Sequence, residues 1–253
     1  AYCTDDWFVD FDQDNSASII PQIPNGRLTA TNAYELQVMI DKIISYTEEP
    51  EFGAWRNNIT LVADDEFGSN SVRESSHVTV QEEIASGYLP QSSEITKIYL
   101  TEYESGVGRE KLQAADDLIE TINSGTVLVS YMGHGNPTLW AHEHVFTQSR
   151  DLQRIERSRR LSLYIAFTCD WGYWDNPQTQ CFPEQLFAMS GRGAIGTIAS
   201  TRLTYSNSNS ALAREFFRGI FGETDITIGE ALAFAKHRAV FALGPTYHLF
   251  GDP

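Results

Sequence analysis

The sequence predicts an α/β fold in which helices cover both faces of a mostly parallel sheet. Short apolar runs alternate with longer segments of helical periodicity from about residue 58 onwards. Such alternation is typical of βαβ units. The runs are almost continuously apolar, as expected for strands that are buried on both faces.

The first 57 residues are predicted to form a smaller unit of their own. Apolar residues recur every three to four positions over residues 33–46, which indicates a helix. Asn32 and Glu35 fit a capping box at its start. Proline and glycine then interrupt the pattern, and we place a subdomain boundary near Asn57.

After this boundary, five strands are predicted from short runs of β-branched and aromatic residues. They cover residues 59–63, 95–100, 126–131, 161–167 and 194–200. Apolar spacings of three and four predict helices at 76–86, 109–123, 184–189, 211–220 and 228–241. Thr227 and Glu230 supply a capping box for the last helix, and the Asn/Ser-rich residues 206–210 are expected to form a loop.

The charge balance excludes several function classes. Lysine and arginine number 18 against 34 aspartates and glutamates, a formal charge of −16 that repels nucleic acid and anionic membrane surfaces. No apolar run approaches the roughly 20 residues that span a bilayer. The chain starts at Ala1 rather than at methionine, and we expect it to be part of a longer protein with further domains.

A glycine motif at residues 191–196 has the GxGxxG pattern of a dinucleotide site. A predicted helix precedes it and a predicted strand follows it, which reverses the order that such a site requires. We therefore expect no cofactor to be required for the chemistry.

Functional residues of parallel sheets gather just past the carboxyl ends of the strands. Here those positions hold the segments Asp64-Asp65-Glu66, Gly133-His134-Gly135 and Cys169-Asp170. A thiol attacks only as the thiolate, and a neighbouring imidazole can take its proton and later protonate a leaving amine. Backbone N–H groups of Gly133, Gly135 and Cys169 can form an oxyanion hole. A buried structural cysteine beside a hydrogen-bonded histidine is the alternative interpretation.

Several ordered blocks resemble the gingipain family of cysteine peptidases. Residues 131–140 read YMGHGNPTLW, similar to the family segment around the catalytic histidine. Residues 166–174 read AFTCDWGYW, similar to the nucleophile segment, and 181–186 read CFPEQL, similar to the following helix. IAST at 198–201 and FGDP at 250–253 complete the resemblance, which covers nearly the whole chain in order.

The resemblance implies a caspase-like, three-layer αβα sandwich, preceded by a truncated smaller α/β subdomain in residues 1–57. It implies that Cys169 is the nucleophile and His134 the general base and acid. In the family an acidic residue at the end of the strand that matches residues 59–63 orients this histidine. Glu66 or Asp65 would take that role here.

The resemblance also suggests a substrate pocket. Met132, Trp140 and Tyr205 are expected to form its walls. Arginine-specific members keep an aspartate in this pocket, where the matching residues 72–77 of this sequence read VRESSH. Glu74 or His77 is expected to line it instead, which makes a preference for basic residues doubtful.

An acidic loop near the start of the chain is a possible calcium site. Asp10, Asp12 and Asp14 alternate in a turn-rich segment, and Ca²⁺ takes six to eight oxygen ligands. A solvated acidic turn without a bound metal ion is an alternative interpretation of equal weight. Related peptidases carry structural calcium, so the resemblance favours a calcium ion here.

Together these observations predict a secreted or cell-surface cysteine endopeptidase that hydrolyses protein or peptide substrates through a thioester on Cys169. One alternative is a sortase-like transpeptidase of a secretion system, which shares that thioester. Another is a non-catalytic binding module on the same fold, in which Cys169 would have ordinary thiol reactivity. A calcium-dependent adhesion domain would leave the histidine and cysteine segments unexplained.

Overall fold

The computed structural model describes residues 3–11, 21–65, 76–222, 225–239 and 246–253. Four of the predicted site residues lie outside these ranges. They are Asp12, Asp14, Glu66 and Glu74.

A mostly parallel sheet forms the centre of the protein, as predicted. Its strands run in the order β2-β1-β3-β7-β8-β9, and the last strand is antiparallel to its neighbour. A small antiparallel sheet, β4-β5-β6, lies beside it. The strands are β1 (Asn58–Ala63), β2 (Glu94–Tyr99), β3 (Leu128–Met132), β4 (Gly135–Asn136), β5 (Leu139–Trp140), β6 (Phe146–Thr147), β7 (Ser162–Phe167), β8 (Ala194–Ser200) and β9 (Tyr247–Phe250).

The helices confirm most of the predicted segments. They are α1 (Ala33–Glu48), α2 (Ser76–Gly87), α3 (Leu112–Ser124), α4 (Gln148–Asp151), α5 (Phe182–Ala188), α6 (Ser206–Gly222) and α7 (Ile228–Arg238). Within the described ranges, no helix combines the length and apolar character needed to cross a bilayer.

Two helix starts differ from the prediction. Residues 206–210, expected to be a loop, form the first turns of α6, where Asn209 N–H donates to the Tyr205 carbonyl at 2.9 Å. Local preference for turns is overridden here by packing, because the Asn209 and Ser210 side chains are buried. Residues 109–111 lie before α3 rather than in it, since Arg109 has a left-handed φ of 70°.

Alternate residues of the strands contribute to two separate cores. Leu61 and Ala63 of β1 pack with α2, α6 and α7 on one face, whereas Val62 packs with α3 on the other. Helix α5 joins the second face through Phe182 and Leu186. Because both faces are covered, the fold is the three-layer αβα sandwich that the sequence analysis predicted.

Helix α1 packs against α5 and β8. The buried Lys42 side chain donates hydrogen bonds to the carbonyls of Phe187 (2.8 Å), Met189 (3.2 Å) and Arg192 (3.2 Å). Burial lowers the pKa of Lys42 to about 7. These contacts fix α1 to the end of α5, and the subdomain boundary near Asn57 stays a prediction.

Candidate active site

His134 and Cys169 follow two neighbouring strands. Met132, the last residue of β3, pairs with Phe167, the last residue of β7. Each functional residue lies two positions further along, so both reach the same edge of the sheet. They line a single pocket of about 210 Å³.

Gly135 allows the two loops to approach each other closely. A Cβ at this position would lie 2.6 Å from Thr168 Oγ1, well inside van der Waals contact. Thr168 immediately precedes Cys169. The absence of a side chain at position 135 therefore lets the His134 loop contact the Cys169 loop.

The thiol of Cys169 contacts the backbone of Thr204. Its S–H donates to the Thr204 carbonyl at 3.2 Å, and the Thr204 N–H donates to Sγ at 3.4 Å. The Thr204 hydroxyl is 3.8 Å from the same sulfur. The Thr204 backbone thus presents both an acceptor and a donor to the Cys169 sulfur.

Two further imidazoles flank the His134 ring. The His77 ring lies 5.6 Å away in an edge-to-face arrangement, and the His142 ring lies 5.1 Å away. Partial burial and then the nearby His134 lower the pKa of His142. His142 is therefore neutral near neutral pH.

Asp64 and Tyr131 hold the His134 backbone from both sides. Asp64 Oδ2 accepts the His134 N–H at 2.8 Å, and the Tyr131 hydroxyl donates to the His134 carbonyl at 2.5 Å. Gly133 makes room for this contact, since a Cβ there would lie 2.3 Å from Asp64 Cβ. Asp64 belongs to the predicted acidic segment, but the sequence analysis did not select it as the functional member.

Asp64, Asp65 and Glu143 form a buried acidic cluster, with carboxylate oxygens within 4.8 Å of one another. Two cations reach it: Lys111 Nζ lies 3.1 Å from Asp65 Oδ2, and an Arg109 nitrogen lies 3.0 Å from Glu143 Oε1. Burial is the main cause that raises the pKa of Asp64 to about 6. Asp65, expected to orient His134, thus has Lys111 as an ion-pair partner.

The pocket walls agree in part with the expected ones. His77, Met132 and Tyr205 line the pocket that contains Cys169. Trp140 does not, because its side chain has no exposed surface and stacks on the Tyr131 ring at 4.6 Å. The prediction of Trp140 as a wall of the substrate cleft is therefore wrong: this residue belongs to the core beneath it.

The expected oxyanion donors have different surroundings. The Gly133 N–H lies 3.5 Å from the Phe167 carbonyl, at the limit of a hydrogen bond. Gly135 belongs to β4, which pairs with Leu139–Trp140. Gly133 and Cys169 line the pocket, whereas Gly135 is not among its described lining residues. The role of all three as oxyanion donors stays a prediction.

Known proteins resemble this chain in sequence and in fold. The family model "Peptidase family C25" matches residues 1–253. Gingipain R2 of Porphyromonas gingivalis is 27% identical over 190 residues, which are 72% of this chain and 24% of that protein. The chain therefore spans about a quarter of the length of this relative.

Two solved structures have the same fold. The complex of Porphyromonas gingivalis RgpB pro- and mature domains matches with a TM-score of 0.74 at 21% identity, covering 100% of this chain and 60% of that one. The Arg-specific cysteine proteinase gingipain R matches with a TM-score of 0.71 at 22% identity, covering 90% and 54%. The whole-length family match adds to this agreement in fold, and the chain belongs to peptidase family C25.

Proposed function

We propose that this protein is a cysteine endopeptidase that hydrolyses peptide bonds through a thioester on Cys169. The observation that carries the proposal is the pocket of about 210 Å³ that His134 and Cys169 line together. Membership of peptidase family C25 supports the reaction class.

The reaction needs a thiolate and a proton carrier. His134 takes the proton of the Cys169 thiol, and Sγ attacks the carbonyl carbon of the peptide bond. The protonated His134 then gives its proton to the leaving amine as the C–N bond breaks. Water, deprotonated by His134, attacks the thioester and releases the acid and the free thiol.

Backbone groups support these steps. The Thr204 N–H, 3.4 Å from Sγ, stabilises the thiolate before it attacks. We assign the tetrahedral oxyanion to N–H groups of Gly135 and Cys169, with Gly133 as a further donor. Preorganised N–H donors cost no reorganisation when the negative charge develops.

We assign the orientation of the His134 ring to Glu66, with Asp65 as the alternative. Glu66 follows the acidic pair at the end of β1. Asp65 Oδ2 already forms an ion pair with Lys111 Nζ at 3.1 Å. Its negative charge is partly neutralised by this pair, so it would stabilise a protonated imidazole less well. Asp64 accepts the backbone N–H of His134 at 2.8 Å.

The pocket that holds Cys169 takes the substrate residue before the cleaved bond. Met132 and Tyr205 form walls, and His77 is buried at its side. The described lining residues include no carboxylate, so they supply no counter-charge for an arginine or lysine side chain. Glu74 is the remaining candidate for such a charge.

Alkylation of Cys169 tests the proposal. Iodoacetamide labelling is followed by mass spectrometry between pH 5 and 9, for the wild type and for His134→Ala, with Cys169→Ala as the negative control. We expect rapid labelling of Cys169 below neutral pH that slows in His134→Ala. Labelling that rises only near the ordinary thiol pKa of about 8.5, whether or not His134 is present, would refute the thiolate–imidazolium pair.

The other two cysteines serve as internal controls. A hydrogen bond to the Asp175 carboxylate raises the pKa of Cys3, and burial raises that of Cys181. Neither thiol should therefore label below neutral pH.

Product analysis with added glycine completes the test, because an amide-linked glycine would indicate transpeptidation instead of hydrolysis.

Calcium binding and location are further parts of the proposal. We propose that Asp10, Asp12 and Asp14 bind a structural calcium ion, since alternating carboxylates in a turn suit this cation. Added Ca²⁺ should raise the melting temperature, and Asp12→Asn with Asp14→Asn should abolish the rise.

Secretion or display at the cell surface is tested by fractionating the producing cells.

A further inference from the structure

A second pocket, of about 500 Å³, opens at the same edge of the sheet as the Cys169 pocket. One wall comes from the turn between β4 and β5, which follows His134, and another from the loop that follows Cys169. Its lining includes Thr138, Gln148, Tyr173, Asn176, Thr179 and Gln185. None of these residues has a role in the proposed chemistry.

The two pockets lie on opposite sides of the sheet edge. The Cys169 pocket is lined by His77 of α2 and Asn209 of α6, which pack on one face of the sheet. The second pocket is lined by Gln185 of α5, which packs on the other face. A substrate bound across this edge of the sheet would therefore have one pocket on each side of its cleaved bond.

The second pocket is within reach of such a substrate. Thr138 is four residues from His134 and Tyr173 is four residues from Cys169. A fully extended chain covers at most about 3.3–3.6 Å per residue, so both walls lie within about 15 Å of the reacting groups. An extended peptide covers this distance within about four residues.

The described lining of this pocket carries no charged side chain, although the chain has a net charge of −16, and it combines hydrogen-bonding Gln, Asn, Thr and Ser side chains with the apolar Pro137 and Leu152. Glutamine and asparagine amides and threonine hydroxyls both donate and accept hydrogen bonds. They satisfy neutral polar groups, whereas a charged side chain would lose its hydration without gaining a counter-charge. The chemistry of the pocket thus favours asparagine, glutamine, serine and threonine.

The walls are held in place by backbone hydrogen bonds. Phe182 N–H donates to the Pro137 carbonyl at 2.8 Å, which joins α5 to the turn after His134. Gln148 N–H donates to the Thr138 carbonyl at 2.8 Å, which joins α4 to the same turn. A preformed pocket of this kind binds without a large ordering cost.

We propose that this pocket is a second substrate subsite. It binds uncharged, hydrogen-bonding side chains within about four residues of the cleaved bond, on the opposite side of that bond from the residue in the Cys169 pocket. The inference rests on the proposed endopeptidase function and adds a substrate class to it.

Cleavage of a proteome-derived peptide library tests the subsite. Mass spectrometry compares the cleaved sequences from the wild type, Gln185→Glu and Gln185→Lys, with Gln178→Glu as the matched control. Gln178 is exposed and lies outside the pocket lining. The wild type should select Asn, Gln, Ser or Thr, and avoid charged residues, at one of these positions on one side of the cleaved bond.

We expect Gln185→Glu to favour Lys and Arg at that position, and Gln185→Lys to favour Asp and Glu, each by about tenfold. Gln178→Glu should keep the wild-type profile. Because Gln153 lines the same pocket and is exposed, Gln153→Lys provides a second variant that should also favour Asp and Glu. Identical profiles for all these enzymes would overturn the subsite.

Failure of the subsite and failure of the proposed function give different results. Cleavage without selection at these positions overturns the subsite and leaves the endopeptidase function standing. No cleavage of any library peptide by the wild type, under conditions where it is folded, overturns both. A short substrate without residues on the second-pocket side should be cleaved equally by wild type and Gln185→Glu.

Discussion

Replacement of Asp64 by asparagine should change how the stability of the protein depends on pH. The Asp64 carboxylate is almost fully buried and accepts backbone N–H groups of His134 and Asp65, each at 2.8 Å. Asparagine has nearly the same shape but cannot ionise. Asparagine has one acceptor oxygen instead of two, which adds a difference in stability that does not depend on pH. The pH dependence of the comparison therefore reports the cost of a buried charge next to Asp65 and Glu143.

The size of this change in unfolding free energy follows from the pKa of Asp64. Burial, more than any other cause, raises the pKa of Asp64 from 3.8 to about 6. Because the folded-state pKa is raised, the stabilising contribution is complete below about pH 4 and is lost as the pH rises through 6. This difference in pKa corresponds to about 3 kcal/mol of unfolding free energy.

Urea unfolding of the wild type and Asp64→Asn at pH 4, 5, 6 and 7 measures this effect. The wild type should lose about 2 kcal/mol of this difference relative to the variant between pH 4 and pH 7, because the unfolded carboxyl is already half ionised at pH 4. Carboxylates distant from Asp64 titrate alike in both proteins, so their contributions cancel in the comparison. The exposed Asp41→Asn serves as a control and should show a constant difference. A constant difference for Asp64→Asn as well would refute the reasoning.

Three further predictions follow from close contacts. Gly135→Ala should lower kcat/KM at least about tenfold, because a methyl group 2.6 Å from Thr168 Oγ1 pushes the His134 loop away from the Cys169 loop. The second substitution Thr168→Ala should remove this clash and restore most of the activity. Trp140→Ala should lower the unfolding free energy by about 3–5 kcal/mol in urea unfolding, with KM unchanged. Asp6→Asn should cost about 3–5 kcal/mol in the same assay, because it leaves the buried Lys236 without its carboxylate partner at 2.8 Å.

The predicted secondary structure was accurate where the local pattern and the tertiary packing agree. Strands β1, β3, β7 and β8 are continuous apolar runs, and burial on both sheet faces requires that composition. Residues 206–210 were mispredicted because their Asn and Ser side chains favour turns locally. Helix α6 forms there because Asn209 and Ser210 are buried, and Asn209 lies beside the Cys169 pocket.

The functional site shows the same limit of prediction from local sequence patterns. Trp140 and Tyr205 both resemble pocket walls in the sequence, but only Tyr205 lines the pocket, while Trp140 stacks on Tyr131 in the core. The contact of Asp64 with the His134 backbone likewise depends on the pairing of β1 with β3. Sequence separation of 70 residues gives no local signal for such a contact.

The sequence by itself determined the layered α/β architecture and the placement of His134 and Cys169 at strand ends. Hydrophobic periodicity and strand order along the chain are local properties, and they are sufficient for both. The tertiary structure alone decided which carboxylate holds the His134 backbone, which aromatic residues line the cleft, and that a second, uncharged pocket lies beside it. Those features depend on packing between residues distant in sequence, where burial and close contact select one partner among several with similar chemistry.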